Sequence, residues 1–468
     1  MYKNNRIGLV GLLVIFIFLA GSCDNDHRLE VLDATSKSAI VKVEDKVYST
    51  NWIISPDINP DILPIEIEGD HLAKVTFLTD IDSVSYHLNK GDIKDFMVLL
   101  NKKDSAFTRL QGVPSKVNFT DSYILDNKGK WSVEVNEAQE LIQIISVITP
   151  TGLADTRSMI INHDTTSYYK SVLNQFLPFK NEPIVKQIDS LLLNNWYLNM
   201  KADACALEFD DENNLTKSDI YDRMRGSKNL LDPFMEQLNE FAKKSDFRTF
   251  YKNNRSFYQS LIDWQEKEIS TKEQWDWLET QFPDYHYDHY RITFSPLVKG
   301  NHSTVRFNNN NFNQVIMFIR PPYKVKNVND EVSNGLITRF VFTEIDHNYV
   351  NPETDKYIDD VNSAFSDRAK WTNGKESNGY KTPYAVFNEY MTWSVYLLYC
   401  YDKYEYQDFM VINDRIVNYF INRRGFHRFD DFHATLLDYY RKKGANETVA
   451  DLYPKILTWA IYYDPVNE

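Results

Sequence analysis

The sequence predicts an α+β chain, with a β-sandwich-like module over residues 37–150 and a mainly helical domain with a small sheet over residues 151–468. Three observations predict it. Short apolar–polar alternations fill the first part. After about Thr151, apolar residues recur at spacings of three and four. Two apolar, strand-like runs then interrupt the helical part between Arg291 and Ile319.

The first 22 residues read as an export signal. Lys3 and Arg6 precede an almost unbroken apolar run from Ile7 to Ala20, too short for a comfortable membrane span. The run ends in Ala20-Gly21-Ser22-Cys23, which resembles a lipobox, and the resemblance makes Cys23 the lipidated first residue of the mature chain. The alternative is an ordinary secretory signal with an incidental cysteine. Asp24 and Asp26 resemble the export tags of surface lipoproteins in Bacteroidetes-type bacteria. The expectation is a cell-surface or outer-membrane lipoprotein that meets the membrane through its anchor only. Cys205 and Cys400 are too few and too far apart for a disulfide framework, so both are expected as free thiols.

Residues 23–36 form a linker. In the module, Ile40–Val43, Leu72–Phe77 and Trp131–Val135 alternate, and Phe96–Leu100 reads as a fully buried strand. Turn signals at Asp57–Asp61 and Asn127–Gly129 separate such runs. Val75–Ser83 and Asp95–Asp104 resemble a module found at the front of Bacteroidetes-type lipoproteins. In the second domain, Ile184–Leu198, Leu230–Phe241, Phe247–Trp264 and Glu273–Phe282 read as helices. Arg291–Leu297 and Gln314–Ile319 read as a strand pair around a polar loop containing Asn308–Asn311. Ser333 or Asn334 is a candidate N-cap for the next helix. Thr382-Pro383 marks another helix start, a capping threonine followed by proline at the first helical position.

A chain of 468 residues, 43% of them hydrophobic, supports two sizeable cores. Its net charge of −14 disfavours nucleic acid and anionic lipid headgroups as partners. There is no G-x-S-x-G, P-loop or G-x-G-x-x-G, and neither remaining cysteine has a nucleophile-like setting.

The segment closest to chemistry is Phe342-Thr343-Glu344-Ile345-Asp346-His347. On a helix, positions four apart share one face, so two imidazoles in H-E-x-x-H can chelate zinc while the glutamate serves as general base. Glu344 and His347 match that pattern, but Thr343 stands where the first histidine belongs. Leu336, Phe340, Thr343 and His347 share one helical face. Downstream, Glu389 lies in a strongly apolar helical run, where a carboxylate is costly unless paired or metal-bound.

Blander readings stand beside these. His347 can simply favour a helix C-terminus, Glu344 can be a solvated surface residue, and Glu389 can serve a buried network of Tyr and Trp groups. Glu344, His347 and Glu389 could also form a two-carboxylate, one-histidine site, at the loss of Glu344 as base. Asp346 points about 100° from His347 on an ideal helix and is a weak ligand candidate. His286 and His289 read as part of a polar loop. Phe426–Asp431 reads as a helix N-terminus with packing rings.

The stretch from Ile292 to the C-terminus resembles a poorly characterised family of secreted bacterial (Bacteroidetes-type) zinc metallopeptidases of the gluzincin kind. The matching pieces are Ser295-Pro296-Leu297, the Glu344/His347 helix, Asn351-Pro352, Asn388-Glu389 and Arg424-Gly425-Phe426. The resemblance implies a zincin-like domain with Glu344 as general base, His347 and Glu389 as zinc ligands, and a peptide or protein substrate. Thr343 departs from it at the first ligand. The alternative is a catalytically inactive cell-surface protein that binds a peptide or glycan.

Overall fold

The computed structural model describes residues 29–67, 72–114, 119–154, 160–163, 166–218, 229–300 and 302–463. The export signal and Cys23 lie outside the described residues. The fold is α+β, strands first and helices after. No helix among the described residues is long and apolar enough to cross a membrane.

Eight strands build the first part: β1 (Glu30–Ala34), β2 (Ser38–Val43), β3 (Lys46–Ile53), β4 (Asp61–Ile67), β5 (Ala73–Leu78), β6 (Ser83–Leu88), β7 (Ile93–Leu100) and β8 (Asp104–Pro114). They form two four-stranded sheets, ordered β1-β7-β8-β4 and β3-β2-β5-β6. Alternate residues of both enter one core: Leu63, Ile65, Phe96 and Val98 from the first sheet, Val41, Val75 and Phe77 from the second. Phe77 and Phe96 meet across it edge to face, 5.0 Å between centroids. The Phe96–Leu100 run is only half buried. Phe96, Val98 and Leu100 face the core, while Met97 and Leu99 turn to the partly covered outer face, as a two-residue period requires.

Strand β9 (Lys130–Glu134) pairs elsewhere. It lies parallel to β12 (His289–Phe294), which lies parallel to β14 (Phe312–Ile319), whose other edge carries β13 (Ser303–Asn309) antiparallel. A small pair, β10 (Leu207–Phe209) and β11 (Leu215–Lys217), stands apart. The strand pair predicted around residue 300 is thus parallel, with a third strand between its members in sequence. The asparagine run narrows to a two-residue turn: Asn310 and Asn311 hold φ of +53° and +55°, the left-handed region that suits a tight hairpin.

Helix Glu137–Ile148 follows β9 and is buried from Ala138 to Ile148, its polar residues Gln139, Glu140, Gln143 and Ser146 each hydrogen-bonded. It joins the second, larger core, which extends to the C-terminus. Phe247–Trp264 is two helices, Phe247–Asn253 and Arg255–Ile269, which meet at Asn254. Cys205 and Cys400 are buried free thiols. Burial raises both, Cys400 to about 12, so neither is nucleophilic.

Candidate functional site

Four segments converge beyond the C-terminal ends of β12 and β14. The motif helix, Asp330–Ile345, starts one turn earlier than predicted. Asn329 is its N-cap, accepting from the Val332 amide at 2.8 Å, and Asp330 and Glu331 sit in its first turn, where the helix dipole favours them. Ser333 lies inside the helix, and its hydroxyl accepts from the Val325 amide at 3.0 Å. The helix stops at Asp346, and His347 opens the next, His347–Asp355. The long helix Pro383–Lys403 is capped by Thr382, as predicted, and buries Val386 through Cys400. Helix Tyr406–Arg424 ends on Gly425, whose φ of +77° forms a left-handed cap.

These segments enclose a pocket of about 490 Å³. Thr343, Glu344, His347 and Glu389 all line it. His347 and Glu389, 42 residues apart in sequence, approach to 3.8 Å between Nε2 and Oε1. The other imidazole nitrogen lies 3.3 Å from Asn351 Oδ1 and 3.4 Å from Thr392 Oγ1, which fixes the ring. Arg424, the last residue of helix Tyr406–Arg424, also lines the pocket. Its Nη2 lies 2.8 Å from Glu389 Oε2, and it also donates to the Tyr380 hydroxyl. Trp393, Phe420, Tyr380 and Phe426 surround the guanidinium, with ring centroids 5.0–5.8 Å away. Burial alone would lower the Arg424 pKa, but Glu389 and then Tyr380 more than offset this and the net shift is upward.

Two tetrahedral zinc ligands with bonds of about 2.0–2.1 Å lie roughly 3.3 Å apart, so His347 and Glu389 alone come close to that need. The rest of the donor set does not fit. The Thr343 hydroxyl turns back along its own helix and donates to the Arg339 carbonyl at 2.7 Å. The second Glu389 oxygen lies 2.8 Å from the Arg424 guanidinium, an ion-pair contact without hydrogen-bond geometry. Among the described residues, no three His, Cys, Asp or Glu side chains are placed to hold a metal ion, and this includes Glu344, His347 and Glu389 together. Among the described residues the pocket is lined by four cationic side chains, Lys299, Arg320, Arg339 and Arg424, and two carboxylates, Glu344 and Glu389. That balance opposes a dication in a chain whose net charge is −14.

The other candidates lie away from the pocket. Asp346 is buried at the break between the two helices and does not line the pocket, although Glu344, Glu389 and the Thr392 hydroxyl act on its carboxyl. Burial, then Glu344 and Glu389, hold its carboxyl well above the usual range. His286 is exposed and bonds Glu279 at 2.9 Å. His289 is buried in β12 between Ser132 and Gln314, and burial lowers it to about 4. Phe429, Asp430 and Asp431 form the first turn of helix Phe429–Lys442, as expected, and Phe426 and Phe429 pack as rings.

The cationic wall is the part that motif reading misses. Arg339 is a cation in an otherwise apolar helical run, and Arg320 follows directly on a buried strand. Those two placements were the available signals. Compared with family models, with curated proteins and with solved structures, the chain matches none.

Proposed function

We propose that this chain is an exported, lipid-anchored binding protein built on a peptidase-like frame, and that its pocket takes a ligand without zinc chemistry. One observation carries the reading. The carboxylate that would ligate zinc, Glu389, lies 2.8 Å from Arg424, so a metal would have to displace a largely buried ion pair. The Thr343 hydroxyl bonded to the Arg339 carbonyl supports the same conclusion. The export run and Cys23 supply the anchor. A zinc peptidase is the second reading, favoured by the 3.8 Å approach of His347 to Glu389.

Metal content after dialysis and cleavage of a peptide library separate the two readings. The wild type is expected to retain far less than one zinc per chain and to cleave nothing. Thr343→His supplies the missing imidazole and is expected to raise the zinc content, more so when combined with Arg424→Met. Stoichiometric zinc in the wild type, with cleavage that Glu344→Gln abolishes, would establish the peptidase instead.

A further inference from the structure

The cations that line this pocket differ in how the fold satisfies them. Arg424 has its carboxylate. Arg339 has none among the described residues. Its guanidinium packs on rings instead, 4.5 Å from the centroid of Phe340, 5.0 Å from Tyr419 and 5.6 Å from Trp393. Its Nε is buried without a hydrogen-bond partner. A guanidinium held flat among aromatic rings keeps its in-plane N–H fork available, and that fork matches the two oxygens of a carboxylate or phosphate.

The neighbourhood adds to the same field. Arg320 lies over Tyr323 at 4.0 Å and is 5.7 Å from the centroid of Phe340. His302 meets the Phe340 edge at 4.8 Å, and its Nε2 is buried without a hydrogen-bond partner. Its pKa lies well below the ordinary histidine value, through burial first and then through Lys201, Arg320 and Arg339. Lys299, exposed on the loop after β12, stands at the rim. Among the described residues, Lys299 and Arg339 line the pocket without an ion pair of their own, while Glu389 is matched to Arg424. A cavity of about 490 Å³ falls within the range of small-molecule sites.

We infer that the pocket binds a small organic anion, with its carboxylate or phosphate held by the Arg339 fork beside Arg320 and Lys299 and its carbon body against the aromatic wall. The inference rests on the binding-protein reading and names its ligand class.

Calorimetric titration of the full chain in detergent tests it with two matched sets of probes. One set is glucuronate, glucose 6-phosphate and glucose. The other is benzoate, phenyl phosphate and benzamide. At least one charged probe is expected to bind, its neutral counterpart not. Binding by carboxylates only, or by phosphates only, identifies the oxyanion. Charge-assisted hydrogen bonds contribute about 1.5–3 kcal/mol, so Arg339→Gln is expected to weaken binding by roughly 10- to 100-fold. Arg339→Lys keeps the charge without the fork and is expected to recover part of the loss. Lys299→Gln, at an exposed position that leaves the core untouched, is expected to weaken binding a few-fold at low salt. Absence of binding by every charged probe up to about 10 mM would overturn the inference. So would equal binding of the neutral probes, or an affinity unchanged in both Arg339→Gln and Lys299→Gln. The metal and cleavage assay of the previous section is independent, so a failed anion inference and a failed binding-protein reading give different results.

Discussion

Replacing Arg424 by Met probes the contact on which the site reading depends. The change keeps a long apolar stem among Trp393, Phe420 and Phe426 but removes the charge 2.8 Å from Glu389. Breaking a buried pair from one side costs about 3–5 kcal/mol, whereas exposed pairs contribute about 0.2–1 kcal/mol. The Arg424 side chain is 22% exposed and that of Glu389 10%, which places this pair nearer the buried limit. We expect Arg424→Met to destabilise the helical domain by about 2–3 kcal/mol, a fall of roughly 5 °C in melting temperature for a domain of this size. Glu389→Gln leaves the guanidinium resting on rings and the Tyr380 hydroxyl, and is expected to cost about 1–2 kcal/mol. In the double variant neither partner is left stranded. The cycle should therefore show a coupling of about 1.5 kcal/mol or more by thermal and urea unfolding. A neutral Arg424→Met, or effects additive to within about 0.5 kcal/mol, would refute the pairing.

Three further outcomes follow from other parts of the chain. Glu140 is fully buried, accepts from the Tyr168 hydroxyl at 2.5 Å, and is raised from 4.5 to about 7, chiefly by burial. Between those values the folded state holds more protons than the unfolded chain. Stability contributed by this group is thus full below about pH 4.5 and lost as pH rises toward 7, by on the order of 3 kcal/mol. Glu140→Gln should flatten this dependence in unfolding measured from pH 4 to 8, and a slope equal to wild type would contradict it. Gly425→Ala should destabilise by about 1–3 kcal/mol, because a Cβ at a φ of +77° is strained and would run into the Asn373 side chain. Its melting temperature matching wild type would count against the cap. Fatty-acid labelling should mark the wild type and not Cys23→Ala, and equal label in both would remove the anchor.

Much of the architecture is legible from residue pattern alone, because local chemistry decides it. Thr382-Pro383 starts a helix for reasons contained in two residues. The change in period is read near Thr151, but the passage from sheet to helix comes earlier, because helix Glu137–Ile148 already belongs to the second core. What pattern cannot give is partnership. Trp131–Val135 alternates like any strand, and nothing in it says that it will pair with β12, more than 150 residues away. The strand Ser303–Asn309 runs into Asn310-Asn311, so its polar end hides its alternation. At the site, helical spacing identifies Glu344 and His347, and the cost of a carboxylate in an apolar run identifies Glu389. The spacing assumes one continuous helix, whereas the helix breaks at Asp346 and His347 begins another. Thr343 shows its missing imidazole in the sequence, but the bond to the Arg339 carbonyl needs the backbone. Arg339 and Arg424 come from different helices, and only folding brings them to the same pocket as Glu389.

The proposed binding function requires that an ion pair close the His347–Glu389 site against zinc. Anomalous scattering at the zinc edge, from wild-type crystals grown with zinc present, tests it most directly. The account predicts no anomalous peak within ligand distance of His347 Nε2, with Arg424 still against Glu389. A full-occupancy peak about 2.0–2.2 Å from both His347 Nε2 and Glu389 Oε1, with Arg424 displaced, would contradict it.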